Sequence, residues 1–161
     1  MKNFCMVCAT LLFTSQASAQ EVVVGLGFSD FSDGSALDAA TLQLEYTATP
    51  FKSTERWDHH FGGILTVDNE SDVFVGFGVL SRYSLQNDWF LEGSFRPGLF
   101  FEGVSLNDLG QTLEFRSALA VGRYVGESSA VSLELSHKSN GGLSSTNPGV
   151  NKLSLRYHHS F

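Results

Sequence analysis

Three absences narrow the reading of this 161-residue chain. Its two cysteines, Cys5 and Cys8, both lie at the extreme N-terminus, so the rest of the chain has no thiol for a disulfide or for thiolate chemistry. It has no Lys/Arg cluster and carries a formal charge of −7, which argues against nucleic acid as a partner. No apolar run approaches the roughly 20 residues that a helix needs to cross a bilayer, and no helical stripe appears after Glu21.

The first residues read as an address rather than as part of the fold. Lys2 supplies a positive start, Val7 to Phe13 a short apolar run, and Ala17-Ser18-Ala19 the small-x-small pattern of a signal-peptidase site. Cleavage is expected after Ala19, leaving residues 20–161 as one domain and removing both cysteines. Neither cysteine stands just after the apolar run, as a lipoprotein signal would require. Loss of Lys2 takes the formal charge from −7 to −8.

What the chain does have is 14 Phe and 16 Gly, arranged in segments that alternate apolar with polar. Turn-rich clusters cut the sequence into eight such segments: Glu21–Asp30, Ala39–Ala48, Glu55–Thr66, Asp72–Leu85, Trp89–Phe101, Gln111–Val125, Ser129–Ser139 and Val150–Phe161. The third is irregular, because Asp58-His59-His60 interrupts its apolar pattern. In the seventh, Val131, Leu133 and Leu135 share one face and Ser132, Glu134 and Ser136 the other. The last sets Leu153, Leu155, Tyr157 and Phe161 against Lys152, Ser154, Arg156 and His158.

A soluble sandwich would bury the apolar face. Two features favour the inverse arrangement, an all-β, eight-stranded, antiparallel, up-and-down transmembrane β-barrel. The polar faces carry Glu and Arg in kind (Glu45, Glu92, Arg96, Glu114, Arg116, Glu134 and Arg156), which can pair across a narrow lumen where unpaired charge is costly. The chain also closes on an aromatic residue, Phe161, at the end of an alternating strand, as is typical of substrates of the outer-membrane assembly machinery. An even strand count puts both termini on the periplasmic side. Ala48–Ser53, Leu85–Asp88 and Gly126–Ser129 are then periplasmic turns. Phe28–Asp38, Val67–Ser71, Phe101–Gly110 and Asn140–Gly149 face the exterior.

The most specific stretch is Ser136-His137-Lys138-Ser139-Asn140-Gly141-Gly142, followed by Asn147-Pro148-Gly149-Val150-Asn151. Parity with Val131, Leu133 and Leu135 turns His137 and Ser139 outward, toward lipid, at the headgroup level. The i, i+2 spacing puts them on one face within about 7 Å. A histidine that takes the serine proton makes the serine a nucleophile for acyl transfer. Asn151 has the same outward parity on the next strand and can orient the His137 ring. The Asn140 amide and the Gly142 N–H are candidate donors to an oxyanion, and glycine lets that backbone approach a substrate closely.

The run His-x-Ser-Asn-x-Gly, then an Asn-Pro-Gly loop and a final short strand, resembles the lipid A 3-O-deacylase family, also termed acyloxyacyl hydrolases. The resemblance implies an eight-stranded outer-membrane barrel that removes the ester-linked 3-O acyl chain of lipid A through a Ser-His-acid site on its lipid-facing wall. It implies His137 as general base, Ser139 as nucleophile, and Asn140 with Gly142 as the oxyanion hole, with lipid A as substrate and no cofactor or metal. A site on the wall is compatible with gating by a homodimer contact. One position departs: the family pattern has Glu where this chain has Asn151. Asn can accept a hydrogen bond from His137 but lacks the charge that stabilises imidazolium. The resemblance therefore implies a slower or differently tuned enzyme, or one that borrows a carboxylate from elsewhere.

The other candidates carry less. Asp58, His59 and His60 are spaced too closely for a convincing metal site. His158 and His159 read as interfacial aromatics, and Trp57 and Trp89 as membrane-interface anchors. Gly25, Gly27, Gly76 and Gly78 relieve crowding in a narrow lumen and are no phosphate loop, since no helix follows. The rival to the esterase is a non-catalytic small outer-membrane barrel, adhesin or structural. A soluble periplasmic sandwich is the third reading.

Overall fold

The computed structural model describes residues 20–31 and 34–161; the expected signal peptide, residues 1–19, lies outside them. Alternating segments with turn residues between them form antiparallel neighbours in sequence order. The strands are β1 (Glu21–Phe31), β2 (Ala39–Thr47), β3 (Trp57–Asp68), β4 (Val73–Ser84), β5 (Trp89–Phe101), β6 (Leu113–Gly126), β7 (Ser129–Ser139) and β8 (Val150–Ser160). Each strand pairs with the next, and β1 pairs with β8 from Glu21↔Ser160 to Phe31↔Val150. The ring is closed, so it has no exposed edge. Lys52–Ser53 adds a two-residue rung against the start of β3. Strand lengths of 9 to 14 residues match the roughly 9–11 residues that a tilted strand needs to cross a membrane.

The two faces are inverted relative to a soluble sandwich. Outward positions are apolar and exposed: Leu119 is 74% and Leu26 68% exposed. An apolar surface continuous around the whole ring belongs in lipid rather than in water. The lumen holds the charges. Arg156 reaches Glu45 at 3.1 Å, Glu92 at 2.9 Å and Glu134 at 2.9 Å, and Arg82 bridges Glu21 and Glu92, each at 2.7 Å. Arg96 pairs with Glu45 and Arg116 with Glu134. Gly76 and Gly78 face inward as expected; the Phe74 ring lies 2.8 Å from where a Cβ on Gly76 would sit, so the lumen closes around aromatic rings there.

The third strand is continuous through the histidines, running Trp57–Asp68 in place of Glu55–Thr66. Alternation persists there in direction, although hydrophobicity does not show it. His60 turns inward and meets the Ala48 carbonyl at 2.8 Å, whereas His59 stacks on Trp57 with ring centroids 5.9 Å apart. Adjacent residues on opposite faces cannot share a metal ion. His158 differs from the expectation of an interfacial aromatic. Parity carries it into the lumen, where Nδ1 lies 3.0 Å from Glu21 and Nε2 2.7 Å from the Ser132 hydroxyl.

At the end of the barrel opposite the termini, buried polar side chains tie the loops together. Asn107, in the 3-10 turn Ser105–Asn107, donates to the Asp72 carboxylate at 2.6 Å and accepts from the Leu37 N–H at 2.8 Å. Asp72 also accepts from the Gly103 N–H at 2.7 Å. Three of the four loops at this end are thus joined through two side chains.

Candidate active site

β7 carries its exposed row Val131, Leu133 and Leu135 up to His137, which is itself exposed. Lys138, the next residue, turns inward and places its ammonium 3.6 Å from the centre of the Phe100 ring. That contact fixes the parity at the top of the strand, and Ser139 follows on the face of His137, half-buried. β8 brings Asn151 into register opposite His137, and Nδ1 of His137 lies 2.9 Å from Oδ1 of Asn151. A carbonyl oxygen can only accept, so Nδ1 carries the ring proton and Nε2 presents its lone pair. That is the tautomer a general base requires.

Gly149 closes one edge of the ring. Its φ is +73°, and a Cβ there would stand 2.9 Å from Cε1 and 3.4 Å from Nε2 of His137. Glycine is needed twice over, for the backbone conformation and for the close approach.

Asn140 is arranged differently from the expected free oxyanion donor. It is fully buried, and its amide nitrogen donates to the carbonyls of Leu109 at 2.8 Å and Thr146 at 2.7 Å. Its Oδ1 accepts from the Gly142 N–H at 2.9 Å. Its backbone N–H donates to Asn147 Oδ1 at 3.0 Å. In this conformation Asn140 mounts the loop, and both expected oxyanion donors are engaged within it. Gly141 and Gly142, at φ +67° and +81°, complete that mount in left-handed conformations, with open space around Gly142.

Below His137 the wall is indented. Ser117, opposite His137 on β6, and Gly93 on β5 are small among leucines. A cleft of about 430 Å³ runs past Ser117, Leu119, Leu135, His137 and Asn151. Leu119 and Leu135 also line an adjoining apolar groove of about 600 Å³ that continues past Gly93, Leu91 and Leu133. Asn107, Asp72, Leu109 and Gly149 support this site without having been picked out from the sequence. Gly149 alone had a signal there, in the Asn-Pro-Gly turn. Among the described residues, one carboxylate-histidine group has metal-like spacing, Glu21, Glu92 and His158. It lies in the lumen, and the guanidiniums of Arg82 and Arg156 already supply its cationic partners.

A closed ring with an apolar exterior and a charged lumen defines the class, an outer-membrane β-barrel. Residues 38–160 match the family model described as lipid A 3-O-deacylase (PagL), and the chain belongs to this family of outer-membrane lipid A hydrolases. The crystal structure of the outer membrane enzyme PagL is similar at 20% identity over 88% of this chain and 99% of that one, with a TM-score of 0.73. A de novo designed transmembrane β-barrel (12% identity) and Neisserial surface protein A (10%) each give a TM-score of 0.58, over 89% of this chain and 96% of theirs. At these identities the structural likeness is one of fold. No curated protein sequence matches the chain.

Proposed function

We propose that the chain removes the ester-linked 3-O acyl chain of lipid A with Ser139 as nucleophile and His137 as general base, at the lipid-facing wall of the barrel. The observation that carries this reading is the His137–Asn151 hydrogen bond of 2.9 Å on the exposed face, two residues before a serine of the same parity. Ser139 Oγ attacks the ester carbonyl while its proton passes to His137 Nε2. The tetrahedral intermediate collapses, and the departing 3-hydroxyl oxygen takes that proton. Water, activated by the same nitrogen, then releases the fatty acid and restores Ser139. The Gly142 N–H is the donor that rotation of the glycine pair would free for the oxyanion, with Asn140 as its mount. The acyl chain lies along the indented wall past Ser117, Leu119 and Leu135, so the ester is reached without lifting the lipid from the leaflet. The loop from Asn140 to Gly149 stands at the exterior side, where lipid A resides.

The test is mass spectrometry of lipid A from Gram-negative cells expressing the chain. Loss of one hydroxyacyl group is expected with the parent, and Ser139→Ala and His137→Ala should each abolish it. Unaltered lipid A at good outer-membrane expression would favour a non-catalytic barrel instead.

A further inference from the structure

The sequence leaves the proposed triad one negative charge short, because Asn151 stands where the resemblance implies a carboxylate. Closure of the barrel puts a carboxylate next to it. β1 runs outward-facing Val24, Leu26 and Phe28, all exposed and apolar, and the next outward position is Asp30, also exposed. Asp30 is in register with Asn151 on β8, and Asn151 is in register with His137 on β7. One row across three adjacent strands therefore reads Asp30, Asn151, His137. Directly opposed residues of an antiparallel pair have Cβ atoms roughly 4.5–5.5 Å apart, within reach of an Asp and an Asn side chain.

We propose that Asp30 is the acid of this site, acting on His137 through Asn151. The chemistry of the intervening amide fits the role. Its Oδ1 is taken by His137 Nδ1, and no described residue accepts from its Nδ2, which leaves two N–H donors for a carboxylate. Asp30 turned onto Nδ2 would fix which end of the amide faces the imidazole, and so the ring tautomer. When Nε2 takes the serine proton, positive charge on the imidazolium polarises the amide, and the carboxylate beyond it stabilises that charge. No proton moves along the row; the one proton transferred is that of Ser139. A carboxylate at the end of an apolar, lipid-facing row is costly without such a use, although the cost falls toward the interface. Asp30 touches neither substrate nor reacting atoms and is a positioning residue.

This inference rests on the Ser139–His137 reading, and a steady-state assay on the purified, detergent-folded barrel separates the two. Each variant is first checked for heat-modifiable mobility as evidence of folding. Asp30→Asn is expected to lower kcat at least tenfold while leaving KM within about twofold, the pattern of an interaction made in the transition state. Asp30→Glu should retain most of the rate. The double variant Asp30→Asn/Asn151→Glu should regain it, because a carboxylate then accepts directly from Nδ1–H. Parental kcat in Asp30→Asn, with Ser139→Ala inactive, overturns the role of Asp30 and leaves the Ser-His site standing. A loss that neither Asp30→Glu nor the double variant recovers is structural and also overturns it. Turnover that survives both Ser139→Ala and His137→Ala removes the site itself.

Discussion

The imidazole of His137 depends on two neighbours of different kinds. Asn151 binds Nδ1 by a hydrogen bond, and Gly149 leaves room for Cε1 and Nε2 by having no side chain. Gly149→Ala is therefore expected to act on catalysis more than on folding. The left-handed backbone costs a non-glycine residue about 1–2 kcal/mol, which an eight-stranded ring can absorb. The new Cβ, however, would stand 2.9 Å from Cε1 and must push the ring aside. Misplacement by about 1 Å is worth up to about a hundredfold in rate. The deacylation rate should fall by ten- to a hundredfold with heat-modifiable mobility unchanged; a near-parental rate would mean that Gly149 does not set the ring. At this scale the sequence exposed His137, Ser139 and Asn151 as neighbours, because one hairpin and one parity rule connect them. Asp30 was hidden, because its adjacency depends on closing the first strand against the last. The engaged Asn140 was hidden too, because one of its acceptors, the Leu109 carbonyl, comes from another loop.

Strand boundaries were legible where polarity alternates cleanly: β5 and β7 begin and end where the pattern does. β3 was harder because His59 and His60 alternate in direction while both being polar, so the period survives only in the fold. The loops were the least legible element. The knot of Asn107, Asp72 and Leu37 joins segments far apart in sequence and contains no local motif, yet it is continuous with the site: Leu109, two residues after Asn107, lends its carbonyl to Asn140. Asn107→Ala removes buried hydrogen bonds and leaves the Asp72 carboxylate one donor short, a cost of about 1–3 kcal/mol. It should lower the urea midpoint and also reduce deacylation, since the Asn140 mount loosens with the 3-10 turn. Leu106→Ala, at an exposed position of the same turn, is the control and should change neither. Equal effects from the two would show that the turn's apolar surface, not its hydrogen bonds, holds the loops.

For the molecule as a whole, the proposed site and the lumenal ion network lie on opposite faces of one wall. The strand that presents Asn151 outward presents Arg156 inward, where it is bound to Glu45, Glu92 and Glu134. These carboxylates come from β2, β5 and β7, so Arg156 acts as a cross-brace over the lumen. Each retains another guanidinium, Arg96, Arg82 and Arg116 respectively, but without Arg156 three buried carboxylates lose a shared cation. Breaking a buried ion network from one side costs about 3–5 kcal/mol, because the orphaned charge stays desolvated. Arg156→Met should therefore lower unfolding stability by that order. Arg156→Lys should recover only part of it, since a point charge cannot match a planar fork across three partners. Arg123→Ala, on the outer face where the guanidinium lies 5.9 Å from the Trp89 ring centre, should cost under about 1 kcal/mol. The decisive comparison is activity per folded molecule. The brace and the site face opposite ways, so folded Arg156→Met should retain near-parental kcat while unfolding earlier in urea. A kcat that falls in step with stability would mean that lumenal packing sets the geometry of the outer wall.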